Sequence, residues 1–172
     1  MYIAHEGLNV TENSAVPFPS VFAAFEASVR SGPDKVALVF EDQSLSYREL
    51  LQKIENTARH FQLRNIGQGD TVAAFAQNRP ELLYCYYAAA KLGAVFVPFN
   101  PNLTQSEVQY SFTHSNAKLL FHDDIVADVA RSAVPAEALV SMSDLADELP
   151  ATDISSASVE PDDDFLVIYT SG

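Results

Sequence analysis

The stretch "TVAAFAQNRPELLYCYYAAAKLGAVFVPFNP", Thr71 to Pro101, decides the fold. Its first residues, Thr71 to Ala76, read as a strand. Pro80 sits where a helix can begin, because its missing N–H would have no partner inside the first turn. Asn78 followed by Glu81 fits a capping box, and Gly93 is placed to stop the helix after Leu92. "AVFVPFN" is then almost continuously apolar, the pattern of a strand covered on both faces. Pro98 within it implies a strand that ends early or lies beside a crossing segment. Strand, helix and buried strand in this order form a βαβ unit.

Working outward toward the amino end, Val21, Phe22, Phe25 and Val29 share one helical face, closed by Gly32 and Pro33. "KVALVFEDQSLSY" reads as a hairpin turning across Glu41 to Ser44. Ser46 with Glu49 fits a capping box, and Leu50, Ile54, Ala58 and Phe61 form the stripe of a helix running from Ser46 to about Leu63. Residues 1–19 lack a sustained period and read as a lead-in arm, with residues 20–172 forming one α/β subdomain.

Toward the carboxyl end, Thr104 with Glu107 opens another helix, to about Thr113, and "AKLLF" is the next strand. Asp123 or Asp124 starts a short helix containing Val126, Val129 and Ala130. "EALVSM" reads as one more strand, the polar run from Ala146 to Asp164 as loop, and "FLVIY" as the final strand. Alternation of this kind argues a three-layer α/β fold, a mostly parallel sheet with helices on both faces. Ligands in such sheets gather beyond the carboxyl ends of the strands, so the loops after Ala76, Phe99, Phe121 and Tyr169 are the places to look.

Composition excludes partners better than it names one. The formal charge of −13 repels nucleic acid and anionic membrane surfaces. Twelve acids lie beyond His122 against the single base Arg131, whereas the first two thirds are nearly neutral. One cysteine, Cys85, can form neither an internal disulfide nor a cysteine metal cluster. No signal peptide or transmembrane run is indicated, and the cytoplasm is the default compartment.

Thr170-Ser171-Gly172 carries the strongest chemical claim. Two hydroxyls and a glycine after a buried strand can turn sharply and present donors to an anion such as phosphate. On the residues alone a plain turn is the stronger reading. Glu160, Asp162, Asp163 and Asp164 read as a solvated run rather than a metal loop, because interleaved glycines are missing. Gly67-x-Gly69 precedes a strand, the wrong side for a dinucleotide fingerprint. His5, His60, His114 and His122 show no metal or triad spacing. His60 reads as structural, His122 as a residue that could face a cleft, and Cys85 as a small buried hydrophobe. Tyr84, Tyr86 and Tyr87 diverge around their helix, so they read as packing rather than one aromatic box.

Taken together, the segments resemble a known family. Tyr47 followed by its helix, "GQGDTVA", Asn78-x-x-Glu81, "KLGAVFVPFNP", "AKLLF" and the closing "DDFLVIYTSG" are similar, in order, to the N-terminal part of the adenylate-forming enzymes, which include acyl-CoA synthetases and peptide-synthetase adenylation domains. The resemblance spans about Phe22 to Gly172. It implies ATP-dependent activation of a small carboxylic acid to an acyl-adenylate, then transfer to the thiol of coenzyme A or a carrier pantetheine, with Mg2+ as the accompanying ion. It places Thr170, Ser171 and Gly172 at the start of the ATP phosphate loop and gives Ser44 to Tyr47 and Lys91 to Asn100 packing roles. "VFVPFNPNLT" resembles the acyl-CoA ligase branch.

The same resemblance puts the rest of the phosphate loop, a magnesium-holding Glu, a ribose-binding Asp and a catalytic Lys outside these residues. The stretch alone is therefore expected to be inactive, to pack against the remainder of the same chain, and to be capable of self-association through an apolar face. Two other readings stay open at this point, a non-catalytic scaffold domain and a flavodoxin-like nucleotide binder.

Overall fold

The computed structural model describes residues 18–152, 154–160 and 162–170. Most of the expected arm, residues 1–17, and both Ser171 and Gly172 lie outside the described residues. Five α-helices are present among the described residues: α1 (Val21–Ser31), α2 (Tyr47–Leu63), α3 (Pro80–Leu92), α4 (Gln105–His114) and α5 (Ala127–Ala133). Six strands accompany them: β1 (Val36–Phe40), β2 (Gln43–Ser46), β3 (Thr71–Phe75), β4 (Val95–Phe99), β5 (Ala117–His122) and β6 (Leu139–Ser141). β1 and β2 form an antiparallel hairpin, and the other four make a parallel sheet in the order β4-β3-β5-β6.

The period of two along β3 builds the layers. Val72 and Ala74 face one core with Ala58, Phe61, Cys85 and Ala89 of α2 and α3. Ala73 and Phe75 face the other with Val108 of α4 and Ala130 of α5. All four β3 residues are 0% exposed, which is why no polar alternation marks this strand. Phe61 and Phe121 stack with centroids 4.7 Å apart, joining α2 to β5. Truncating such a fully buried aromatic costs about 3–5 kcal/mol. α1 and the hairpin form an outer layer against α2 and α3 through Phe22, Phe25, Leu50 and Ile54.

Two expected caps form. The Glu49 carboxylate accepts from the backbone N–H (2.8 Å) and hydroxyl (2.7 Å) of Ser46. Glu107 does the same for Thr104, at 2.8 and 2.7 Å. The third does not. Arg79, not Asn78, is the residue before α3, and it makes no side-chain cap. Glu81 then stands two positions into the helix rather than three, and its carboxylate accepts from Arg79 Nε at 2.7 Å instead. α3 does end as expected, on Gly93 with φ +67°.

The polar run after β6 is irregular but fastened. Asn56 Nδ2 donates to the carbonyls of Leu145 and Asp147, both at 3.0 Å, while Asn56 Oδ1 accepts from Leu149 N–H at 3.0 Å. His60 Nε2 lies 3.0 Å from the Asp147 carbonyl, the structural role expected of it. Farther on, Ala157 N–H donates to the Lys91 carbonyl at 2.8 Å. Lys91 is itself 4% exposed, with Nζ 3.5 Å from Glu55 and over the ring of Phe22.

The final strand is shorter than its sequence suggests. "FLVIY" makes a single parallel bridge, Phe96 with Leu166, at the outer edge of β4. Phe96 N–H donates to the Phe165 carbonyl at 2.7 Å and Val167 N–H to the Phe96 carbonyl at 3.1 Å. The next rung needs a donor at position 98, and proline has none. Because alternate residues of a strand address opposite neighbours, Pro98 faces this outer segment and leaves the β3–β4 pairing from Thr71 to Phe75 complete.

Candidate functional site

The parallel sheet sends the ends of β3, β4 and β5 to one side of the molecule. The Phe96–Leu166 bridge is parallel, so Thr170, four residues past Leu166, comes out on that side beside Asn100, four residues past Phe96. An open cleft of about 340 Å³ lies there, lined among others by Phe99, Asn100, Leu103, Tyr110, Tyr169 and Thr170. A smaller, more enclosed cavity of about 140 Å³, bounded by Val21, Ala94, Asp163 and Phe165, lies at the opposite, amino end of β4. Of the three residues expected to start a phosphate loop, Thr170 is exposed at the cleft, and Ser171 and Gly172 lie outside the described residues.

The cleft rim is held by short-range hydrogen bonds. Asn100 Oδ1 accepts from Asn102 N–H at 3.0 Å, shaping the turn out of β4, and the Thr104–Glu107 box then starts α4. α4 carries Tyr110, Ser111 and His114 toward the segment that ends in Thr170. The Tyr169 hydroxyl is 2.8 Å from His114 Nδ1 and reaches the Ser111 carbonyl at 3.4 Å. Its ring meets Phe99 edge-on at 6.3 Å.

One residue organises the neighbouring strand ends. Asp123, 3% exposed, accepts from Gln77 N–H (2.8 Å) after β3 and from Ile125 (3.0 Å) and Val126 (3.1 Å) N–H before α5. From sequence it reads only as a helix start. Its partner Gln77 is 46 residues away, and nothing local signals that contact. The same holds for His114 and Tyr169, 55 residues apart.

The remaining candidates are structural. His122 does not face the cleft. It is 7% exposed, and its Nδ1 lies 3.0 Å from the Asp123 carbonyl. Cys85 is 0% exposed and its thiol is pushed well above its ordinary range by burial, the environment of an inert buried hydrophobe. Tyr84 and Tyr87 pack toward α1 and the hairpin, and Tyr86 toward Phe96 and Phe165. Within the acidic run, Asp163 Oδ2 accepts from Glu160 N–H at 2.9 Å and holds a turn.

Chemically, the described part of the site offers a hydroxyl donor and aromatic and amide walls. The Thr170 hydroxyl suits a phosphate oxygen. The described residues do not fit magnesium, since no group of three carboxylate, imidazole or thiol side chains converges. Glu107, the carboxylate at the cleft, is already engaged by Thr104.

Comparison with known proteins agrees with this fold. A family model described as AMP-binding enzyme matches residues 25–172. Tyrocidine synthase 2 of Brevibacillus parabrevis is 31% identical over 94% of this chain and 4% of that protein. Crotonobetaine/carnitine–CoA ligase of Citrobacter koseri is 30% identical over 81% of this chain and 31% of that protein. The solved N-terminal subdomain of NpsA from Klebsiella oxytoca, in complex with 3-hydroxybenzoyl-AMSN, superposes with a TM-score of 0.79 at 28% identity, covering 90% of this chain and 38% of that one. The 172 residues thus span well under half of each of these three relatives. Matched by the family model over 148 of its 172 residues, counted from 25 to 172, the chain belongs to the AMP-binding enzyme family.

Proposed function

We propose that these residues supply the first part of the nucleotide site of an ATP-dependent, carboxylate-activating ligase. In that reaction a carboxylate oxygen attacks the α-phosphorus of ATP and pyrophosphate leaves. A thiol then attacks the acyl carbon of the adenylate and expels AMP. The observation that carries this reading is the course of Phe165 to Thr170 past the outer edge of β4, bridged at Phe96–Leu166, which brings the Thr170 hydroxyl to an open cleft on the carboxyl side of the sheet. Thr170, Ser171 and Gly172 would begin the phosphate loop, donating to ATP oxygens through hydroxyls and backbone N–H groups. Magnesium would be held by residues from elsewhere in the protein.

The domain assignment follows from the same reading: residues 20–172 form one α/β subdomain and residues 1–19 a lead-in. Leu166, Val167 and Ile168 are 42%, 37% and 62% exposed, an apolar edge suited to cover by the remainder of the same chain, or by self-association when these residues are isolated. The 172 residues alone would not turn over. No described helix is long and apolar enough to cross a membrane. We assign the reaction to the cytoplasm.

The thiol acceptor is the finer point. Relatives at about the same identity include Tyrocidine synthase 2 and crotonobetaine/carnitine–CoA ligase. The "VPFNPNLT" turn favours coenzyme A, and a carrier pantetheine is the alternative. The test is acid-dependent pyrophosphate exchange by the full-length protein with a panel of carboxylates, followed by thioester formation with coenzyme A or a phosphopantetheinylated carrier. Exchange that depends on an acid and weakens in Thr170→Ala supports the proposal. No exchange with any acid would leave the scaffold reading in its place.

A further inference from the structure

The ladder that carries the chain toward Thr170 stops early. Beyond Val167 N–H to Phe96, no backbone hydrogen bond holds the segment among the described residues, and proline at position 98 removes the donor that would meet the Val167 carbonyl. What continues the hold is a side chain. Tyr169 lies with its hydroxyl 2.8 Å from His114 Nδ1 and its ring edge-on to Phe99. The imidazole is in turn stacked on Tyr110, one helical turn earlier, with centroids 5.3 Å apart and planes 24° from parallel. α4 therefore presents an imidazole whose plane is set by one tyrosine and whose nitrogen meets another.

We propose that His114 is a positioning residue: through the Tyr169 hydroxyl it sets the direction in which the chain leaves the sheet at Thr170. The inference rests on the reading of Thr170 as the start of the phosphate loop. His114 touches no reacting atom, and its contribution is to reduce the number of conformations that segment explores before nucleotide arrives. Preorganisation of this kind is felt as tighter nucleotide binding rather than faster chemistry.

The test uses the full-length protein with His114→Phe, Tyr169→Phe, the double variant and His114→Asn. Phe keeps a ring on Tyr110 and loses the nitrogen, whereas the Asn amide restores a hydrogen-bonding nitrogen near Nδ1. Amide hydrogen exchange at Val167, whose N–H is bonded to the Phe96 carbonyl just before the clamp, reports on it without needing catalysis. Losing one net hydrogen bond should speed it about fivefold in His114→Phe, and at least as much in Tyr169→Phe, which also gives up the bond to the Ser111 carbonyl. The double variant should be no faster than Tyr169→Phe, and His114→Asn should return toward wild type. The KM for ATP should rise by a similar factor while kcat and the KM for the acid stay within about twofold.

Unchanged exchange at Val167, additive effects of the two Phe variants, or failure of Asn to rescue would each overturn the clamp. Faster exchange with an unchanged ATP KM would overturn its connection to nucleotide. If the wild type shows no acid-dependent activity, the ligase reading fails, and exchange at Val167 still decides whether His114 holds the segment. His114 is exposed, and Tyr169→Phe keeps the ring that packs against the core, so these substitutions remove polar contacts and leave the core packing in place.

Discussion

The Val167 N–H donates to the Phe96 carbonyl at 3.1 Å, and there the pairing ends, because the next donor on that edge would belong to Pro98. Pro98→Ala supplies it. The new N–H at position 98 should bond to the Val167 carbonyl and exchange slowly, extending the bridge into a short strand. The gain of about 1 kcal/mol from the bond is offset by the added freedom of the unfolded chain, so global stability should move by less than about 1 kcal/mol. A rapidly exchanging amide at position 98 would show that something other than the missing donor diverts the segment.

Asp123 secures the ends of β3 and β5 with three accepted N–H bonds. Asp123→Ala leaves those donors unpaired next to the core, and we expect a loss of about 3 kcal/mol or more in urea unfolding. Asp123→Asn keeps one oxygen acceptor and should lose about half as much. Equal losses for the two would mean that charge, not the count of acceptors, is what this position supplies.

The layers were legible in sequence because their causes are local. Stripes at helical spacing on α2, the Ser46–Glu49 and Thr104–Glu107 boxes, and Gly93 after α3 all act within a few residues. The misreadings share the opposite cause. Asn78 and Glu81 have the spacing of a box, but the helix begins one residue later and Glu81 turns to Arg79. "FLVIY" has the composition of a full strand, yet its pairing is limited by a proline on another strand. Asp123 with Gln77 and His114 with Tyr169 are contacts across 46 and 55 residues, so the site's geometry exists only after the sheet has formed.

Gly93 and Gly69 have similar backbones, φ +67° and +79°, but different surroundings. A Cβ at Gly93 would sit 3.0 Å from Ala157 Cβ and from Gln68 Cγ and 3.2 Å from Val159 Cγ1, whereas at Gly69 it would meet nothing within 4 Å. Gly69→Ala should therefore lose only the left-handed backbone penalty, about 1 kcal/mol. Gly93→Ala should add crowding of about 1–3 kcal/mol and loosen residues 157–159. Equal effects on thermal unfolding would mean that this loop does not press on the end of α3.

The pH profile of stability should be a plateau with two limbs of different origin. On the acid side, the Ser46 backbone N–H and then its hydroxyl hold the Glu49 carboxyl below its ordinary range, and the Thr104 hydroxyl and then its N–H do so for Glu107. Burial works to raise Asp70 and Glu81, but Lys118 with the Gly67 N–H, and Arg79, outweigh it, so both stay lowered. Carboxyls lowered by folding stabilise above their unfolded values, about 3.9 for Asp and 4.3 for Glu, and lose that contribution as pH falls through the folded ones. The acid limb should begin below about pH 5.

On the alkaline side, burial raises Cys85 and pushes Tyr84 up to about 12. Groups raised by folding leave stability whole below their unfolded values and withdraw it as pH climbs toward the folded ones. The unfolded thiol titrates first, at about 8.5, and the phenols near 10. Urea midpoints should thus begin to fall above about pH 8.5 in the wild type. In Cys85→Ala the same decline should wait until about pH 10. A limb that starts at the same pH in both proteins would show that the buried thiol has no part in it.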